Sequence, residues 1–288
     1  MLARSMAALL ALLSAAAYGS GDFFGGMASR RIPAAGVVLR SHIVGLATLV
    51  VAAQFITAEH VVGQDLAWGA AGGIAGGLGV VFFYRALAAG AMSVLAPITG
   101  VLSAIIPVGT GFAQGDRPSA LATAGVCLGL AAVGMVSRET PAEVARVPRS
   151  ALIDATVAGI AFGLFFTAVA QAGDTSGLWP VAMGRVASVT LFAVVVLVTP
   201  SARTGDARAR QAGTTALLVG CGVLDAGANA LYLLATHEGL LSLVSVLSAL
   251  YPAATILLAR FVLHERLNRV QLAGVLVAGI AIAFVTRG

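Results

Sequence analysis

FFYRALAAGAMSVLAPITGVLSAIIPV (82–108) is an apolar run with a single charge near its start, and its counterpart lies 149 residues further along the chain. Under that one offset Ala86 meets Ala235, Gly90 meets Gly239 and Ser93 meets Ser242. Asp116-Arg117 then meets Glu265-Arg266, and Ala124-Gly125-Val126 meets Ala273-Gly274-Val275. Earlier in each half the offset is near 145: Arg40 meets Arg185 before a Val-rich run, and Tyr18-Gly19 meets Phe162-Gly163 at 144. The second half therefore holds about four extra residues, which the reading places in the 201–212 loop. Self-similarity at one fixed period is the signature of a repeated structural unit. Here the units are 1–145 and 146–288.

Both runs are long enough to cross a bilayer, which takes roughly 20 apolar residues in a helix. Ten such segments follow one another: 5–27, 34–57, 67–89, 92–113, 118–136, 151–172, 178–199, 213–235, 240–262 and 268–286. The breaks carry charge and turn residues, as in SRRIP (29–33), GDRP (115–118) and SARTGDARAR (201–210). Alternating stretches of the barrel type are absent. The expected fold is an all-α integral membrane protein of ten transmembrane helices. The first segment reads as a span rather than a signal peptide, because Asp22 and a glycine cluster stand where a cleavage site would lie. Five spans per unit is an odd number, so the two units run in opposite directions through the membrane. Such inverted repeats place a binding site near the midplane, where they meet.

Composition agrees. Of 288 residues 59% are apolar and only 10% charged, with mean hydropathy +0.98. Soluble domains are nearer 45–50% apolar and about 25% charged. A soluble enzyme, a nucleic-acid-binding domain and a disordered chain are excluded. All 17 basic residues are arginine. Without lysine there is neither a phosphate-binding P-loop nor a Schiff base, so no cofactor is expected. Cys127 and Cys221 lie within apolar runs and read as packing residues. His237-Glu238 and His264-Glu265 lack the second histidine at i+4 that a zinc site would need, and read as loop residues. Pro97, Pro107 and Pro252 are expected to interrupt the fourth and ninth spans. The glycines of the third span, Gly69 to Gly79, have the small-xxx-small spacing of close helix packing.

An ionisable side chain at the bilayer centre costs roughly 2.5–3.5 kcal/mol, so each is a functional candidate. Asp225, Asn229 and Tyr232 share one helical stripe, as do Ser14, Tyr18 and Asp22. Either stripe suits a cavity wall, and either also suits interhelical hydrogen bonding. Asp22 falls on the same side of the membrane as Arg40 and Arg85, where an ion pair or a substrate contact would lower its burial cost. Arg85 follows Tyr84, and a guanidinium there suits either a substrate carboxylate or the lipid interface. The substrate-binding candidates are thus Tyr18, Asp22, Arg40, Tyr84, Arg85, Arg185, Asp225, Asn229 and Tyr232.

The 82–108 run, LHERLNRVQLAGVLVAGIAIAF (263–284), and the arginines Arg40 and Arg185 heading the second helix of each half together resemble the drug/metabolite transporter superfamily, within it the EamA family. The first half departs from the family pattern, with GDRPSALATAG (115–125) in place of a Gly-Glu start. The resemblance implies a fold of two inverted five-helix bundles. It also implies secondary transport of a small organic metabolite, often efflux of amino acids or drugs, and no catalysis. The expected partners are the lipid bilayer, the substrate and, as coupling ion, the proton; nucleic acid is not one. The oligomeric state is left open, a homodimer included. A membrane-embedded enzyme or a structural membrane protein is the alternative. Thirteen arginines fall on one side and four on the other, the side of the termini. The positive-inside rule then puts the termini outside, whereas the resemblance puts them in the cytoplasm.

Overall fold

A computed structural model describes residues 2–88, 92–136, 148–199, 211–262 and 268–288. His264, Glu265 and Arg266, Gly90, and the arginines of the 137–147 and 200–210 stretches lie outside the described residues. What is described is all helical. The helices are α1 (Leu2–Ser29), α2 (Ala34–Ala52), α3 (Gly63–Ala88), α4 (Met92–Ala113), α5 (Ala120–Val136) and α6 (Arg149–Val169). After a 3₁₀ turn (Asp174–Ser176) come α7 (Trp179–Val198), α8 (Ala212–Glu238), α9 (Leu241–Ser248), α10 (Tyr251–Val262) and α11 (Arg269–Arg287).

Seven of these are long and apolar enough to cross a membrane: α1, α2, α3, α6, α7, α8 and α11. Ile98–Ala113, Ala120–Met135 and Leu241–Thr255 are shorter apolar stretches. Two expectations need correcting. The second segment, read as 34–57, is helical only to Ala52. Pro97 and Pro107 do not interrupt α4, which runs unbroken from Met92 to Ala113. Pro252 does mark a break. It offers no N–H to Ser248, and the chain passes through 249–250 on short i→i−3 bonds: Leu250 N–H to Leu247 O at 3.2 Å, Ala253 N–H to Leu250 O at 2.9 Å. A proline inside a helix surrounded by other helices need not break it, because neighbours stabilise the distorted turn.

Several ends are fixed by side chains. Asn268 and Gln271 form a reciprocal capping box at the start of α11, with bonds of 2.8 and 2.9 Å. Asp116, in the α4–α5 loop, accepts the Ser242 N–H at 2.8 Å and so caps α9 from across the molecule. Asp65 accepts from Ser176 at 2.6 Å and from the Gly173 N–H at 3.0 Å, tying α3 to the α6–α7 turn.

The helices pack in a pattern that pairs distant parts of the chain. α1 lies along α8, and α3 along α6; α2 touches α8, and α3 touches α7. α1 packs on α9 and α10, and α4 on α6, while α2 meets α7 and α5 meets α11. Glycines make the closest of these approaches. A Cβ at Gly69 or Gly73 would fall on the backbone of Pro180 or Gly184 in α7, and one at Gly222 on the Ser41 carbonyl of α2. Small residues allow such contacts, and dispersion between the backbones then holds the helices together. Leu9, Leu13, Ile43, Val194, Leu197 and Leu276 are exposed outside, where lipid would cover them.

Candidate functional site

α1, α2 and α3 meet α6, α7, α8 and α10 around a cavity of about 640 Å³, open space at its mouth included. Its wall is assembled from four kinds of residue. Gly69, Gly73, Gly76 and Gly77 of α3 present bare backbone. Phe162, Phe165 and Phe166 of α6 present rings, with Val80, Val169 and Val181 beside them. Tyr18 and Tyr251 add phenols. Asp22, His42, Arg185, Asp225 and Asn229 supply the polar groups.

Arg185 and Asp225 form an ion pair between α7 and α8. The arginine is buried, with its side chain 8% exposed, against 21% for Asp225. His42 Nε2 lies 4.0 Å from the same carboxylate, and His42 Nδ1 is 2.9 Å from the Ser188 hydroxyl. A buried guanidinium is tolerable in a bilayer only with such a partner. α1 comes against α8 beside this cluster. Gly21 lies at this contact, where a Cβ would sit 3.4 Å from the Asp225 nitrogen, in ordinary van der Waals range. Tyr18 donates its hydroxyl hydrogen to the Asn229 carbonyl oxygen, again from α1 to α8. The Tyr18 ring stands edge-on to Phe166 at 5.6 Å.

Five of the nine residues singled out from sequence thus line one cavity: Tyr18, Asp22, Arg185, Asp225 and Asn229. The other four do not line it. Tyr232 is fully buried behind the wall, tilted against Phe166 at 4.7 Å, and hydrogen-bonded to the Phe166 carbonyl at 3.2 Å and the Ser245 hydroxyl at 3.1 Å. Tyr84 is buried with its hydroxyl 3.5 Å from Cys221 Sγ. Arg85 is more than half exposed; it pairs with Asp154 at 3.4 Å and covers the Phe82 ring at 5.2 Å. Arg40 donates to the Gly36 carbonyl of its own helix at 3.0 Å. Asp22 pairs with neither Arg40 nor Arg85 in any described contact. Ser14, from the same stripe, holds the Ala228 carbonyl at 2.9 Å.

Sequence reasoning missed His42, the three phenylalanines and Tyr251. A phenylalanine in an apolar run carries no mark that separates a cavity wall from a core. His42 did carry one, being a titratable residue one position from the centre of α2 (Ala34–Ala52). Its likeness to a satisfied core histidine is real as well, through Ser188.

Residues 149–287 match the EamA-like transporter family. That half of the chain, α6 to α11, supplies Arg185, Asp225 and Asn229 and the aromatic wall, and it agrees with the resemblance drawn from sequence. Its spanning helices make this a multi-pass membrane protein, and its second half is similar to a transporter family. A solved structure, titled only as the crystal structure of a protein, superposes with a TM-score of 0.74 at 16% identity, covering 98% of this chain and 97% of that one. Such low identity speaks for the fold alone. No curated protein matches the chain.

Proposed function

We propose that the chain is a secondary transporter that moves a small organic metabolite across the cytoplasmic membrane of a bacterium. The observation that carries this reading is the cavity itself, formed where the early and late helices meet and lined by a buried ion pair. In this reading α9 and α10 are one broken span, so the helices make ten crossings. Residues 1–145 and 146–288 are then two inverted five-helix units. The packing supports it: exchanging α1 with α6, α2 with α7, α3 with α8, and α4 with α9–α10 turns each helix contact described above into another of them. Inverted units of this kind give alternating access by rocking about the site between them.

The direction is efflux, the substrate a metabolite of the amino-acid or drug class, and the driving ion the proton. Asp22 and Asp225 are the groups that would carry it, within a monomer or a homodimer. Tyr18, Arg185 and Asn229 complete the substrate site. An enzyme would need a convergent acid, base and nucleophile or metal.

Reconstitution into proteoliposomes tests the reading. A pH gradient should drive uptake of at least one labelled metabolite, and Asp225→Asn should flatten the dependence on that gradient. If Asp225→Asn transports with unchanged rate and pH profile, Asp225 has no coupling role. If no metabolite moves under any gradient, the transport reading itself fails.

A further inference from the structure

The charges in the cavity do not balance. Arg185 is engaged by Asp225, and His42 Nε2 lies 4.0 Å from the same carboxylate oxygen. Asp22 is left over: it lines the cavity, and among the described residues no hydrogen bond or ion pair engages it. It sits one residue past Gly21, which packs on Asp225 of α8: a Cβ at Gly21 would stand 3.6 Å from the Asp225 Cβ. Two carboxyl groups, Asp22 and Asp225, thus share the cavity with one described guanidinium, and that guanidinium is already taken.

The rest of the wall has a matching chemistry. Tyr18 lies one helical turn from Asp22 on the same face of α1, and its ring meets Phe166. Phe165 lies against bare backbone at Gly76, where a Cβ would come within 3.0 Å of the ring. Aromatic faces carry negative potential and attract cations set over them. An anionic ligand finds the opposite. The only described guanidinium in the wall already has a carboxylate on it, and a second acid stands nearby to repel the newcomer. The carboxylate of a zwitterion meets the same obstacle.

We propose that the ligand of this cavity is an organic monocation, with its ammonium group beside Asp22 and its apolar body against Phe162, Phe165 and Phe166. The inference rests on the transport reading only in taking this cavity as the substrate site, and it narrows the class of metabolite.

Three probes share one aromatic body and differ in charge: benzyltrimethylammonium, phenylacetate and phenylalanine. Calorimetric titration of the purified full-length chain should show binding of the ammonium probe alone. Asp22→Asn should weaken it at least tenfold, and Phe165→Leu severalfold, while the thermal midpoint without ligand stays near that of the parent. Asp22→Glu should recover most of the affinity, which a merely structural role for this carboxyl would not predict. Tighter binding of phenylalanine or phenylacetate, absence of binding by all three, or equal ammonium affinity in Asp22→Asn each overturns the proposal. Flux of the same labelled probes into proteoliposomes separates the two readings. Ammonium binding without flux of any probe leaves the cation site standing and removes transport. Flux of phenylalanine with no ammonium binding does the reverse.

Discussion

Breaking the Arg185–Asp225 pair from each end should give unequal losses that a double replacement largely restores. Removing one partner of a buried ion pair costs about 3–5 kcal/mol, because the other charge is stranded. In Arg185→Met the stranded group is Asp225, a fifth of whose side chain is exposed, so the loss belongs at the lower end, about 3 kcal/mol. In Asp225→Asn the stranded group is the 8%-exposed guanidinium, but the new amide oxygen still accepts one hydrogen bond from it. A bond to a charged group is worth about 1.5–3 kcal/mol, which leaves a loss of about 2 kcal/mol. Arg185→Met with Asp225→Leu removes both charges, and its loss should be under about 1 kcal/mol. The thermal midpoint in detergent, followed by intrinsic fluorescence, reads all four proteins. For a chain of this size 1 kcal/mol corresponds to roughly 2 °C, so the expected drops are roughly 6, 4 and at most 2 °C. If the double variant falls by the sum of the single losses, the two side chains are not coupled and the ion pair does not hold α7 to α8.

Other expectations follow from packing and capping. Gly73→Ala places a methyl group on the Gly184 backbone and should destabilise the fold by about 1–3 kcal/mol; Gly279→Ala, on α11 with open space around it, should be neutral or gain up to about 1 kcal/mol, and melting curves of the pair decide it. Asn229→Leu deprives the buried Tyr18 hydroxyl of its acceptor and should cost about 1–3 kcal/mol, whereas adding Tyr18→Phe should return most of that loss. Asp116→Ala should cost about 1 kcal/mol and speed hydrogen exchange at the Ser242 amide; unchanged exchange there would show that the cap is idle.

Much of the architecture was readable because a bilayer sets one demand, length, and the apolar runs meet it. Asp225 and Asn229 were readable as a wall since four residues on a helix return to the same face, and both do line the cavity. Tyr232 obeys the same spacing, yet it lies a further turn along, where Phe166 closes in front of it. Periodicity gives a face and not a depth. The Arg185–Asp225 pair was out of reach because it joins residues 40 apart on different helices, and only packing brings them together. Likewise Arg85 reads alike in sequence whether it serves a substrate or Asp154. Prolines were over-read, since Pro107 and Pro252 look the same in the chain and only one accompanies a break.

The bond from Asp116 to the Ser242 amide joins the first half of the chain to the start of α9 in the second. In the proposed alternating-access cycle, rocking that opened this end of the molecule would part the two. An interaction of about 1 kcal/mol, absent from the opened form, biases the resting ratio of the two forms about fivefold. On that proposal the cap would also be a setting of the conformational equilibrium, and a chain lacking it would spend more of its cycle facing the other way.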